Sequence, residues 1–182
     1  MNISQSTNLK TKLREVFGDQ ADWLPKPMSG VAKVGAMKVL NIGIGKAIPF
    51  LSRNGFKVLE MKDGYLKAKM PIKGNKNHFG GMYAGALFTV AEVPGGVIST
   101  LNFSSDYFPI LKNMNMDFKK VARSDVTVVF DMPAKEMKRV ETEAAKKGKS
   151  DFILKGIVRD KEGDVVAEAV ATYQLRAASK LG

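Results

Sequence analysis

The segment from Asn77 to Glu92, with the sequence NHFGGMYAGALFTVAE, constrains the fold of this chain more than any other. It begins as a polar loop containing Gly80 and Gly81, then passes without a proline into an apolar run whose spacing predicts a helix. Short alternating segments typical of strands lie on both sides of it. One apolar helix between two groups of strands predicts an α+β fold in which the helix packs on one face of a sheet.

The strands before this segment are predicted as a hairpin. FKVLEM and YLKAKMP are separated by Asp63-Gly64, a dipeptide that favours a tight turn. After the segment, the helix is expected to run to about Asn102, with Pro94-Gly95-Gly96 kinking it or ending it early. NFSSDYFP is expected to be a loop.

A second group of strands is predicted from about Ile110 onward. NMNMDF and DVTVVFDM alternate in polarity, and PAKEMKRVETEAAKKG, from Pro133 to Gly148, favours a helix that stops at its glycine. FILKGIVRD and VVAEAVATYQLR form the last two strands, and mostly small residues on one face of the final strand leave room for a crossing helix (Ala167, Ala169, Ala171, Tyr173, Leu175). The short connections predict a mostly antiparallel sheet.

Residues 1–52 are predicted to form a helical N-terminal extension, and residues 53–182 the main domain. A first helix would present Leu9, Leu13, Val16 and Phe17 on one face. A second, from residue 31 to 51, would set an apolar face opposite its lysines (Val31, Val34, Val39, Ile42 and Ile48 against Lys33, Lys38 and Lys46). Two interpretations are open: a basic helix lying on a membrane surface, or, more commonly for such patterns, a helix packed on its own domain.

The composition excludes several classes of function. The chain has no cysteine, so disulfides and thiol catalysis are excluded, and its net charge of +11 attracts anions in general. Its N-terminus lacks the apolar core of a secretory signal, and no apolar run reaches the roughly 18 residues of a spanning helix. A cytoplasmic protein is expected. The basic residues are dispersed and are not interleaved with aromatic residues, so nucleic-acid binding is not expected.

Glu92 is the residue that most suggests chemistry. A carboxylate among Val90, Ala91 and Val93 is costly to bury, so it has either a partner or a chemical task. As a task, it can serve as a general base or a nucleophile. Gly85 would lie in the first helical turn, where free amides suit a developing oxyanion, and Asn77 can orient water or a carbonyl.

These residues resemble the hotdog superfamily, in which a curved antiparallel sheet wraps a central helix. The closest similarity is to acyl-CoA thioesterases of the phenylacetyl-CoA thioesterase-like branch, whose pattern is an Asn, a Gly three residues later, and HGGxLFxLAD opening the helix. This chain has Asn77, Gly80 and YAGALFTVAE in register. It also resembles a thioesterase-like hotdog family with a helical N-terminal extension. Two residues depart from the pattern: Tyr83 replaces a His, and Glu92 replaces an Asp.

The resemblance implies thioester hydrolysis with water as co-substrate, with Glu92, Asn77 and the Gly85 amide as the catalytic groups. It implies a site formed across a homodimer or a dimer of dimers. The substrate would be an acyl-CoA or an acyl carrier, whose anionic groups suit the basic chain. Further candidate substrate contacts are Tyr83, His78, Gly80 and Met82, with Lys119, Lys120 and Arg123 as candidate phosphate contacts. No cofactor is expected, and because His78 is the only histidine, no metal is expected either.

Alternative interpretations of the same residues remain. Hotdog β-hydroxyacyl dehydratases use a His and a Glu 14 positions apart, as His78 and Glu92 are, but this chain has HFGG where that family has HFPG. A non-catalytic acyl-binding protein is the other alternative, since fold alone does not give function. Structural roles are also open: an ion pair for Glu92, close packing for Gly85 and a turn for Asn77.

Overall fold

A computed structural model of the chain describes residues 31–180. The first predicted helix, with Leu9, Leu13, Val16 and Phe17, lies outside these residues. The described elements are, in order, α1 (Val31–Ala47), α2 (Pro49–Asn54), β1 (Lys57–Lys62), β2 (Tyr65–Met70), α3 (Ala84–Asn102), β3 (Tyr107–Phe118), β4 (Val126–Asp131), α4 (Ala134–Lys147), β5 (Lys149–Arg159) and β6 (Val165–Ala177), followed by a 3₁₀ turn (Ala178–Lys180).

The six strands form one sheet in the order β1-β2-β4-β5-β6-β3, and every pairing is antiparallel. The predicted α+β architecture, with an antiparallel sheet and a central helix, is therefore confirmed. The hairpin turns at Gly64, whose φ of 71° favours glycine. Helix α4 ends as predicted at Gly148, which has a φ of 76° and donates its amide to the carbonyl of Ala144.

Helix α3 packs across the inner face of the sheet, where period-2 alternation places the apolar residues of each strand. Buried residues of this face include Leu66, Ala68 and Met70 on β2, Val126, Val128 and Phe130 on β4, and Ala167, Ala169 and Ala171 on β6. The small side chains of β6 make room for the helix, as predicted. Gly156 on β5 leaves space for the Phe130 ring of the neighbouring strand β4, because a Cβ at position 156 would lie 2.2 Å from that ring.

Helix α3 runs to Asn102, as expected, so of the two effects predicted for Pro94-Gly95-Gly96, a kink or an early end, the early end is wrong. Pro94 removes one backbone hydrogen bond, but Pro94, Gly95, Val97 and Ile98 are all buried against the sheet. Tertiary packing therefore outweighs the local preference to break.

The loop predicted for NFSSDYFP is too long, because β3 already begins at Tyr107 and includes Pro109. Strand β3 lies at the edge of the described sheet, where β6 is its one partner among residues 31–180. A proline is tolerated in an edge strand, where one side of the backbone needs no partner.

The apolar face predicted for the second N-terminal helix is not the face that packs on the domain. Ile42 and Ile48 are exposed, whereas Leu40 and Ile44 are buried in the core together with Leu51 of α2. Asn41 explains this orientation, because its side chain accepts a hydrogen bond from the amide of Val58 (2.7 Å) and donates one to its carbonyl (2.8 Å). This pair of bonds turns the neighbouring Leu40 and Ile44 toward β1.

Candidate active site

The loop that leads into α3 is shaped by Asn77. Its side-chain Oδ1 accepts hydrogen bonds from the amides of Phe79 (3.0 Å) and Gly81 (3.1 Å), and Gly80 adopts a φ of 77°. Asn77 therefore acts as a turn-forming residue. Its Nδ2 has no hydrogen-bond acceptor among residues 31–180, so this donor is the part of the side chain that can act on a substrate.

Backbone hydrogen bonds hold the same loop on both sides. The amide of Met82 donates to the carbonyl of Ala122 (2.8 Å), and the amide of Tyr83 donates to the carbonyl of Asn75 (2.8 Å). A Cβ on Gly81 would lie 2.5 Å from Cγ1 of Val121, so only glycine allows this close approach. The segment from Lys119 to Arg123 is thus held directly against the glycine loop.

The basic residues of that segment differ in how they are paired. Lys119 forms ion pairs with Asp117 and with Glu168 (3.5 Å), and Lys120 pairs with Asp164. These hydrogen bonds to carboxylates raise the pKa of both lysines. Arg123 is exposed and forms no ion pair with any described residue. It is therefore the cation of the three most available to an incoming anion.

Gly85 lies in the first turn of α3, beneath the ring of Tyr83. A Cβ on Gly85 would lie 2.4 Å from Cε1 of Tyr83, so the tyrosine ring occupies the space that a side chain would need. The Gly85 amide has no acceptor within the described part of the chain, as expected for the start of a helix. This amide points its dipole toward a position suited to negative charge.

Glu92 lies about two helical turns further along α3, roughly 11 Å from Gly85. Its neighbours Val90, Ala91 and Val93 are buried, and its own burial raises the pKa of its carboxyl above the ordinary value. No described residue forms an ion pair or a hydrogen bond with the carboxylate. Within one chain, the structural alternative of a Lys or Arg partner therefore has no support.

Tyr173 on β6 contacts the backbone of Glu92. Its hydroxyl donates a hydrogen bond to the backbone carbonyl of Glu92, and its ring stacks on Phe152 with centroids 5.5 Å apart. Burial, and secondarily the charge of Glu92, raise the pKa of Tyr173. The alternation of β6 predicts Tyr173 on the buried face of the sheet but by itself indicates no role for it. A phenol among alanines, whose hydroxyl must find a partner when buried, is the signal that points to one.

The remaining predicted substrate contacts lie in different surroundings. His78 is exposed and contacts the ring of Phe79, with centroids 3.8 Å apart. No hydrogen bond or ion pair joins it to Glu92 in the described chain. Gly80 is exposed in the turn, whereas Met82 is buried in the core. Among the residues that the structure describes, no group of three His, Cys, Asp or Glu side chains could hold a metal ion.

Comparison with known proteins identifies the family. A model described as "Domain of unknown function (DUF4442)" matches residues 37–175. The chain belongs to this family. The DUF4442 match begins inside α1 and ends in β6, so it includes the glycine loop, α3, strands β1 to β5 and most of β6. A comparison with curated proteins gives no match.

Solved structures share the architecture of this DUF4442 protein. One is a protein of unknown function from Pseudomonas aeruginosa, described as a probable thioesterase, with 38% sequence identity and a TM-score of 0.73 over 84% of this chain and 97% of that one. The fold is shared by a putative thioesterase from Shewanella oneidensis, with 19% identity and a TM-score of 0.64 over 79% of this chain and 99% of that one. It is also shared by a thioesterase from Haemophilus influenzae, with 14% identity and a TM-score of 0.64 over 86% of this chain and 96% of that one. The predicted hotdog fold and the resemblance to the thioesterase-like hotdog family are confirmed.

One described helix of the DUF4442 chain, α3, is long and apolar enough to cross a membrane by length and composition. Most of its apolar residues pack against the sheet of the same chain. Core helices commonly have this composition, so the finding is explained by the hotdog architecture.

Proposed function

We propose that this protein hydrolyses acyl-CoA thioesters, with Glu92 as the general base or nucleophile and the Gly85 amide as the oxyanion donor. The observation that carries the proposal is the half-buried Glu92 carboxylate, which has no ion-pair partner among the described residues and whose pKa is raised by burial. Unpaired buried carboxylates are costly and concentrate at functional sites. A relative of 38% identity that is described as a probable thioesterase supports the reaction class.

The chemistry follows from these groups. As a base, Glu92 takes a proton from water while the water oxygen attacks the thioester carbonyl carbon. The resulting oxyanion is stabilised by the Gly85 amide at the positive end of α3. When the tetrahedral intermediate collapses, the carbon–sulfur bond breaks and the thiolate leaves, taking up the proton. As a nucleophile, Glu92 would instead attack the carbonyl carbon and displace the thiolate, and water would then hydrolyse the resulting acyl-enzyme anhydride to the free acid and the Glu92 carboxylate. The Nδ2 of Asn77 would orient the attacked carbonyl or the water.

Two subunits are needed for this arrangement. Gly85 and Glu92 of one helix lie about 11 Å apart along its axis, which is too far for both to act on one carbonyl. Glu92 of one subunit would therefore work with Gly85 of its partner. The free side of β3 and the exposed rings of Phe79 and Tyr83 beside the site support a homodimer, because exposed strand edges and apolar patches favour association.

The charge of the chain supports a substrate that carries phosphates. Arg123, beside the glycine loop and free of described ion-pair partners, is the first candidate for a phosphate contact, with Lys119 and Lys120 next to it. Both coenzyme A and an acidic acyl carrier would present such anions. The exposed ring of Tyr83, which covers Gly85, would contact the thioester end of the substrate.

The proposal is tested by measuring free-thiol release from a panel of acyl-CoA esters of short, medium, long and aromatic acyl groups. Glu92→Gln and Glu92→Ala should lose about 10²-fold or more in kcat/KM, the usual contribution of a general base. Glu141→Gln, which neutralises an exposed carboxylate on α4, is the matched control and should be unaffected.

Full activity in Glu92→Gln would refute the role of this carboxylate. Absence of turnover on every ester in wild-type protein would favour carrier-linked substrates or a non-catalytic acyl-binding role. The dehydratase alternative is tested by hydration of enoyl thioesters, with His78→Ala as its diagnostic variant. A hydration activity lost in that variant would replace the thioesterase proposal.

A further inference from the structure

The corner where α1 meets α2 exposes three large apolar side chains. Ile42, Ile48 and Phe50 are 43%, 44% and 51% exposed, and we call this group, with the surrounding cations Lys38, Lys46, Arg53 and Lys57, the helical corner. Ile48 is the single residue between α1 and α2, and Phe50 lies in the first turn of α2. Ile42 lines a groove between these two helices and β1, together with Lys38 and Lys46. Such an apolar group on a surface marks a site of interaction.

The exposure is built into the fold. Leu40 and Ile44 of α1 and Leu51 of α2 are almost fully buried. The Asn41 side chain attaches α1 to β1 by hydrogen bonds to the backbone amide and carbonyl of Val58. Because these contacts fix the rotation of both helices, the helical corner cannot turn its apolar residues inward.

The charge around the helical corner has one sign. The basic residues between positions 31 and 59 are Lys33, Lys38, Lys46, Arg53 and Lys57, and this stretch contains no Asp or Glu. In residues 31–180, no carboxylate forms an ion pair with Lys38, Lys46, Arg53 or Lys57. Elsewhere on the molecule, cations are mixed with carboxylates, as in the ion pairs of Lys112 with Asp151 and of Lys147 with Glu143. The helical corner therefore presents an unbalanced positive potential beside apolar side chains.

A groove of about 570 Å³ opens at the same place. Its lining includes the buried side chains of Ile44, Leu51 and Phe56 and the cations Lys38 and Lys46. Apolar walls next to ammonium groups match the boundary between lipid acyl chains and headgroups.

We propose that the helical corner docks the protein on an anionic lipid bilayer, with Ile42, Ile48 and Phe50 entering the interface and the cations contacting headgroup phosphates. Surfaces that combine exposed apolar side chains with cations bind at such interfaces. A nucleic acid would offer the aliphatic side chains no apolar surface. A second copy would oppose two positive surfaces. The proposal does not depend on the thioesterase activity, although docking would bring the enzyme to acyl esters that collect in membranes.

The test is co-sedimentation of the full chain with vesicles of phosphatidylcholine alone and with vesicles that also contain phosphatidylglycerol. Binding is expected only to the second kind and should weaken as salt is raised, since charge interactions are screened. Lys38→Gln/Lys46→Gln should weaken binding about 25-fold, because each lysine near an anionic surface contributes about a fivefold factor. Ile48→Ser/Phe50→Ser should weaken it by at least tenfold.

Matched controls remove the same groups from other surfaces. Ile153→Ser/Ile157→Ser changes exposed isoleucines of β5, and Lys135→Gln/Lys138→Gln removes two exposed cations of α4. Both controls should bind within about twofold of wild type. Equal binding to neutral and anionic vesicles, no binding to either, or equal losses in the controls would overturn the proposal. Failure to bind combined with a corner-dependent change in oligomeric state would assign the surface to a second copy instead.

Discussion

Two adjacent glycines of the central helix, Gly95 and Gly96, should respond in opposite ways to substitution by alanine. A Cβ on Gly95 would lie 2.2 Å from Cζ, 2.3 Å from Cε2 and 2.5 Å from the hydroxyl oxygen of Tyr173. A Cβ on Gly96 would have no described atom within 4 Å other than those of its chain neighbours and of the surrounding helix backbone. Both positions are inside α3, so the pair separates the effect of packing from that of helix propensity.

The magnitude follows from these distances. The ring of Tyr173 is buried and stacked on Phe152, so it cannot retreat without disturbing the core. Overpacking a core costs about 1–3 kcal/mol, and losing the hydrogen bond from Tyr173 to the Glu92 carbonyl would cost about 0.5–1.5 kcal/mol more. Alanine regains about 0.8–1 kcal/mol in helix propensity at either position. We expect Gly95→Ala to lose roughly 1–3 kcal/mol of stability and Gly96→Ala to gain up to about 1 kcal/mol.

Thermal and urea unfolding followed by circular dichroism measure this difference. For a chain of this size, 1 kcal/mol changes Tm by about 2–4 °C, so the two variants should differ by roughly 5–15 °C. The double variant Gly95→Ala/Tyr173→Leu adds a direct check, because the cost of alanine at position 95 should largely disappear when the ring is absent. If Gly95→Ala is as stable as Gly96→Ala, the packing of Tyr173 against the helix is refuted.

Three further predictions concern the site and the hairpin. Burial raises the pKa of the Glu92 carboxyl. The contribution of this carboxyl to folding stability is therefore complete below the ordinary carboxyl pKa and is lost as pH rises through the raised pKa. Glu92→Gln should raise Tm at pH 8 but not at pH 4. Asn77→Ala should cost about 1–2 kcal/mol, because two loop amides lose their acceptor, whereas Asn77→Asp should keep most of that stability on urea unfolding. Gly64→Ala should lower the free energy of unfolding by about 2 kcal/mol or more, and by more than Gly163→Ala does. Both glycines have a positive φ, but the Cβ at position 64 would also lie 2.2 Å from the carbonyl oxygen of Met132.

The sheet could be predicted from the sequence because each strand carries its own period-2 signal. Leu66, Ala68 and Met70 alternate with lysines and the tyrosine that starts β2, and the structure buries all three. The Asp63-Gly64 turn then sets the register of the hairpin, with Lys62 opposite Tyr65. Local signals of this kind need no knowledge of the rest of the chain.

The orientation of α1 could not be predicted in the same way. Its sequence offers two apolar faces, one with Leu40 and Ile44 and one with Val39 and Ile42, and helical spacing alone does not choose between them. The choice is made by Asn41, which satisfies both backbone groups of Val58 on the edge strand β1. A polar residue between two apolar faces is ambiguous in a sequence until its partner in the sheet is known.

The candidate site was partly predictable for a related reason. Glu92 and Gly85 could be proposed from the sequence because an acid and a glycine in one apolar helix are visible locally. Tyr173 lies 78 positions from Gly95 in the sequence. Its ring occupies the space that a Gly95 side chain would need, and the two residues meet because α3 crosses β6. The same contact carries the hydroxyl to the Glu92 carbonyl. The packing of the core and the placement of the candidate base are therefore one structural arrangement, so a substitution at Gly95 should affect both stability and the position of Glu92.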